Sequence, residues 1–175
     1  TNYPTAELFI NGKSYGKQSK NNSSLKSRYR LMWMDAVYEP GEVKVVAYNK
    51  DGKAVAEKTV RTAGKPHHIE LVSNRNELTA DGKDLAYVTV KVVDKDGNLC
   101  PTDSRLIHFS VKGAGKFRAV ANGDPTNLEQ FHLPKMHAFH GMLTAIVQAG
   151  EIAGDLVLTA KASGVKTGTV HLQAK

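Results

Sequence analysis

The chain has 175 residues, 41% of them hydrophobic and 23% charged, with 24 Lys and Arg against 17 Asp and Glu for a formal net charge of +7. This is ordinary globular usage, long enough for one large domain or two small ones, and it excludes wholesale disorder and collagen-like repetition. No apolar run approaches the ~20 residues that span a bilayer, and the lysines are scattered without a recognition helix, zinc finger or RNA-binding signature, so neither a membrane span nor a nucleic-acid partner is expected.

In chain order the sequence reads as strands. Glu7 to Ile10 runs into Asn11-Gly12, Val43 to Tyr48 runs towards Asp51-Gly52, and Ala86 to Val93 precedes Asp96-Gly97. Each Asn-Gly or Asp-Gly step supplies the positive-φ residues that tight hairpin turns require, and Asp81-Gly82 marks a further turn. Thr59-Val60-Arg61 ends one alternating run, Gly64 and Pro66 interrupt it, and Ile69-Glu70-Leu71 begins another, which is the pattern of an interdomain joint near Gly64. Later strands are expected at Leu106 to Val111, Met142 to Gln148, Leu156 to Ala162 and Thr167 to Leu172, with little helix. The segments Val43 to Gly52 and Val88 to Gly97 align without a gap at an offset of 45 residues, each a strand leading into a Lys-Asp-Gly turn. The opening Thr1-Asn2-Tyr3-Pro4 carries no initiator Met, basic n-region or apolar h-region, so any signal peptide is expected to have been removed or to lie upstream.

Particular residues then carry a resemblance. Ala6 to Gly16 (AELFINGKSYG), Trp33, and Tyr38 to Tyr48 (YEPGEVKVVAY) resemble a β-sandwich module that follows the catalytic barrel of bacterial family 2 glycoside hydrolases, the β-galactosidase group. Arg61 to Pro66 is similar to that family's joint. Leu78 to Leu85, Val93 to Asn98, and Asn122-Gly123-Asp124-Pro125 resemble the immunoglobulin-like C-terminal domain that comes next in those enzymes. The resemblance implies an all-β fold of two tandem immunoglobulin-like antiparallel β-sandwiches, residues 1–64 and 65–175. It also implies a non-catalytic accessory region whose partner is the catalytic barrel of the same chain, in a bacterial enzyme that is periplasmic, secreted or at the cell surface. One departure stands out: the family's first module begins with a strand upstream of the Leu8 to Gly12 turn, and here little precedes Thr5, so either the first sheet lacks an edge strand or the chain is an excised tail.

The chemistry-bearing residues agree with that reading. Retaining glycosidases need two carboxylates about 5–5.5 Å apart, and the Asn-Glu step of the family's acid/base occurs only as Asn76-Glu77, in a polar stretch that reads as a solvated loop. His132, His137 and His140 fall within nine residues, but Leu133 to Met136 between them looks like loop and supplies no fourth ligand, so no metal or other cofactor is expected. Cys100 is alone, which leaves no disulfide or Cys-based metal site, and no base is assigned to it. Gly113-Ala114-Gly115-Lys116 lacks the spacing of a phosphate loop and reads as a turn. Trp33, flanked by Met32 and Met34, is expected to point inward. If the chain binds carbohydrate, the long loop from Asn122 to Gly141 is the place, with Asn122 and Asp124 as hydrogen-bonding groups and Phe131 and Phe139 as stacking surfaces. A carbohydrate-binding module built on those aromatics, or an immunoglobulin-like spacer of an adhesin, are the alternatives to the accessory-region reading.

Overall fold

The computed structural model describes all 175 residues and is all-β apart from one five-residue helix. The chain divides into two compact units, Thr1–Thr62 and Ala63–Lys175.

The first unit contains β1 (Thr5–Ile10), β2 (Lys13–Ser19), α1 (Leu25–Tyr29), β3 (Glu42–Tyr48) and β4 (Ala54–Arg61). Its strands make one antiparallel sheet in the order β2-β1-β3-β4. Asn11 and Gly12 both have positive φ, 49° and 81°, which is the two-residue hairpin turn that Asn-Gly favours. Alternation on β1 puts Ala6, Leu8 and Ile10 on one face, and Ala47 lies opposite Ala6 on β3. The other face mixes Phe9 and Val46 with polar groups: the Glu7 carboxylate accepts from Ser14 Oγ at 2.6 Å and Tyr48 Oη at 2.9 Å, and Lys17 Nζ sits 3.9 Å from the Tyr48 ring centroid. The Leu31 to Met34 stretch is not a strand. Trp33 is half-buried with its indole N–H donating to the Gly16 carbonyl at 2.9 Å, while Met34 is 82% exposed.

The second unit is a two-sheet antiparallel sandwich. It comprises β5 (His68–Ser73), β6 (Glu77–Leu78), β7 (Leu85–Val93), β8 (Leu106–Gly113), β9 (Gly115–Ala121), β10 (Lys135–His137), β11 (Met142–Ala149), β12 (Gly154–Lys161) and β13 (Gly168–Ala174). One sheet has the order β10-β8-β12-β13-β6 and the other β5-β7-β11-β9; only the short β6 runs parallel to its neighbour. The period-2 pattern read from the sequence faces the core, as Ala86, Val88, Val90 and Val92 of β7 meet Leu156, Leu158 and Ala160 of β12 in one buried cluster. The chain changes sheets at Gly113-Ala114-Gly115. There a Cβ on Gly113, at φ +91°, would lie 2.0 Å from the Asp155 carbonyl oxygen, and one on Gly115 would lie 2.0 Å from Leu156 Cδ1. The Gly-rich stretch is therefore a sheet-crossing corner that only glycine fits.

Candidate functional site

The loop that joins β9 to β11 through β10 holds Asn122, Asp124, Phe131 and Phe139, the candidates named from the sequence. Short side-chain-to-backbone turns set its path. Asn122 accepts the Asp124 N–H at 3.0 Å on Oδ1 and donates from Nδ2 to the His137 carbonyl at 2.9 Å. Asp124 Oδ1 accepts both the N–H and the hydroxyl of Thr126 at 2.8 Å, and these bonds, the N–H first, hold its carboxyl below the usual range. Glu129 closes the loop by accepting the His137 N–H at 3.1 Å, with its other oxygen 3.1 Å from His137 Nδ1. Asn122 and Asp124 are thus brought together, and their side chains are engaged in shaping the loop.

The two phenylalanines part company. Phe131 is 56% exposed, and its carbonyl accepts the Val120 N–H at 2.8 Å. Phe139 is half-buried, its ring centroid 4.2 Å from that of His140 in an edge-on contact. No ring contact joins Phe131 to Phe139, so they do not make one stacking platform.

The histidines do not converge. His140 Nδ1 faces the Pro101 carbonyl at 3.2 Å, His137 faces Glu129, and no three His, Cys, Asp or Glu side chains come together around a point that an ion would occupy. His67 and His68 approach through their Nδ1 atoms at 3.0 Å, a pair with no third ligand.

The carboxyl groups show what the surface is built for. Glu7, Asp81, Asp84, Asp94, Asp103 and Asp124 all sit below their ordinary range. Asp81 and Asp84 are close enough to repel, yet the N–H groups of Lys83 and Asp84 hold Asp81 down, and the Thr79 N–H followed by that of Leu85 and Arg75 does the same for Asp84. At Asp103 burial pushes upward, but the fork of Arg105, with Nε at 2.8 and 2.9 Å, outweighs it. Glu77 of the Asn76-Glu77 step is exposed and ion-paired with Lys175. Cys100 is buried among core residues, and burial first, then Asp94, pushes its thiol upward, away from nucleophilic character. Two features escape a linear reading: the burial of Asp94, and an alignment of lysines and histidines across three strands. Both depend on residues far apart in the chain.

Comparison with known proteins supplies the context. Residues 69–171 match the family model described as glycoside hydrolase family 2 C-terminal domain 5, and residues 1–56 match a domain of unknown function. The chain is 43% identical over 169 residues to the beta-galactosidase BoGH2A of Bacteroides ovatus, an alignment covering 97% of this chain and 19% of that protein. Among solved structures it is similar to a glycosyl hydrolase family 2 member from Bacteroides cellulosilyticus, with 32% identity, a TM-score of 0.86, and coverage of 99% of this chain and 22% of that one. A beta-glycosidase from Bacteroides vulgatus gives 27% identity and a TM-score of 0.89 over 99% of this chain and 21% of that one. The chain therefore spans about a fifth of the length of these relatives.

Proposed function

This chain belongs to glycoside hydrolase family 2, as part of the C-terminal region of such an enzyme, and from that premise we propose that it is a non-catalytic accessory region of a β-galactosidase-like glycosidase. The observation that carries this is electrostatic. A general acid needs a carboxyl group whose pKa is raised towards the working pH, set beside a second carboxylate. Here each displaced carboxyl group moves the other way, held ionised by backbone N–H groups, hydroxyls or an arginine. Apart from Glu7 on β1, these are carboxylates of loops and turns, whose bonds shape a scaffold and favour the ionised form.

Its work is then structural, and the partner is the catalytic barrel of the same polypeptide. Supporting this, the first unit leaves Leu25, Tyr29, Met34, Val37, Tyr38 and Val60 between 63% and 82% exposed, a density of bare apolar side chains typical of surfaces that become covered. The same reading puts the parent enzyme in the periplasm, at the cell surface or outside the cell of a bacterium. The test is direct: the purified 175-residue chain is expected to release no nitrophenol from aryl-galactosides above the buffer blank. Turnover that a single carboxylate substitution abolishes would overturn the proposal.

A further inference from the structure

The two sheets of the second unit present unlike outer faces. On the β5-β7-β11-β9 sheet the outward side chains include Val72, Tyr87 and Ile146; of its lysines, Lys91 is neutralised by Glu70 at 3.1 Å and Lys116 stands opposite Gln148 on the edge strand β9. On the β10-β8-β12-β13 face the strand register builds rows of polar groups. Lys135, His108 and Lys161 lie directly opposite one another on three adjacent strands. Two residues further along, Ser110, Thr159 and Thr169 form a row of hydroxyls. After another two, Lys112 and His171 flank Val157.

Directly opposed residues share a face, adjacent strands are ~4.8 Å apart and successive rows ~6.7 Å. The Lys135-His108-Lys161 row and the Lys112-Val157-His171 row therefore stand roughly 13 Å apart with hydroxyls between them. The carboxylates at this face are Asp155 at the end of the sheet, Glu129 on His137 and Glu77 on the β6 edge, and none of Lys112, Lys135 and Lys161 takes part in an ion pair. A rigid strand face that keeps them unpaired is arranged for a partner that brings the counter-charge.

We propose that this face binds an acidic polysaccharide, Lys135 and Lys161 of one row and Lys112 of the other meeting successive carboxylates or sulfates and the Ser110-Thr159-Thr169 row meeting sugar hydroxyls. Lysine is a compact charge that suits such groups without demanding planar two-point contact, and hydroxyls both donate to and accept from hydroxyls. Single-stranded nucleic acid is the poorer fit, because this face offers no Phe, Tyr or Trp on which bases could stack. The choice of a glycan over other polyanions rests on the accessory-region reading above, yet it fails separately: that reading is decided by turnover and this one by binding.

Affinity electrophoresis and titration calorimetry of the 175-residue chain with polygalacturonate, neutral galactan and a poly-dT oligonucleotide test it. Polygalacturonate should retard the chain at low salt and lose its hold as salt is raised. K112Q/K135Q/K161Q should weaken that binding at least tenfold with an unchanged Tm, and S110A/T159A should weaken it while leaving the charge intact. Undiminished binding by the triple lysine variant, equal retention by neutral galactan, or equal binding of poly-dT would each overturn the proposal.

Discussion

Asp94 is buried as a whole residue, at 2% exposure. Burial of a carboxylate is costly unless its oxygens are satisfied, and four donors satisfy them: the Gly64 N–H at 2.8 Å, the N–H groups of Asp96 and Asn98 at 2.9 and 2.8 Å, and Asn98 Nδ2 at 3.0 Å. With the Gly64 N–H foremost, these hold the carboxyl well below the usual range. A group whose pKa is lower folded than unfolded contributes stability above its unfolded value, near ~4, and that contribution disappears as pH falls through the folded value. Asp94→Asn turns an NH2 group towards N–H donors. We expect it to lower the Tm at pH 7 and to narrow the gap to the parent protein as pH drops below ~4, read by thermal melts at pH 7 and pH 3. An unchanged Tm at pH 7 would show that the four bonds contribute nothing net. The sequence shows Asp94 at the head of a turn; Gly64, thirty positions earlier, is what turns it into an anchor.

At the scale of elements, the aligned segments at offset 45 end in the same turn. Asn49 and Asp94 each accept from the N–H two and four residues on with a side-chain oxygen, and each pairs its own N–H with the carbonyl four residues on. Local sequence is enough to specify that geometry, which is why the hairpin turns were legible. β2 was not legible as an alternating run, because Lys13 to Ser19 carries no apolar alternation and forms by pairing with β1. The short β10 and β6 exist only as additions to the edges of a sheet. The corner at Gly113 is the most exacting element. Gly113→Ala places a methyl group against the Asp155 carbonyl at an unfavourable φ, and a loss of about 2–3 kcal/mol or more is expected by urea denaturation. A loss under about 0.5 kcal/mol would mean that the corner relaxes freely.

For the whole molecule, the two units differ in what they can bury. The second gathers 21 buried residues in one cluster, whereas the first buries only Ala6, Leu8, Ile10 and Ala47. Small units with little core are marginal alone. Residues 63–175 expressed by themselves are expected to melt cooperatively with a dispersed amide spectrum, and residues 1–62 by themselves to do neither. A cooperative melt of the short piece would show that its single sheet suffices.

The amino-acid order alone determined the all-β class, the turns and the family, because alternation and turn chemistry act over a few residues and are written where they act. The segment from Asn122 to Gly141 reads in the sequence as one long loop, but Lys135–His137 pairs with β8 as β10, and what Asn122 and Asp124 bond to came only from the folded path. Only tertiary structure decided which strands share a sheet, that Lys135, His108 and Lys161 stand in one row, and that Asp94 is buried. Each of these depends on pairing between segments tens of residues apart, where a slip of one residue turns every side chain to the opposite face.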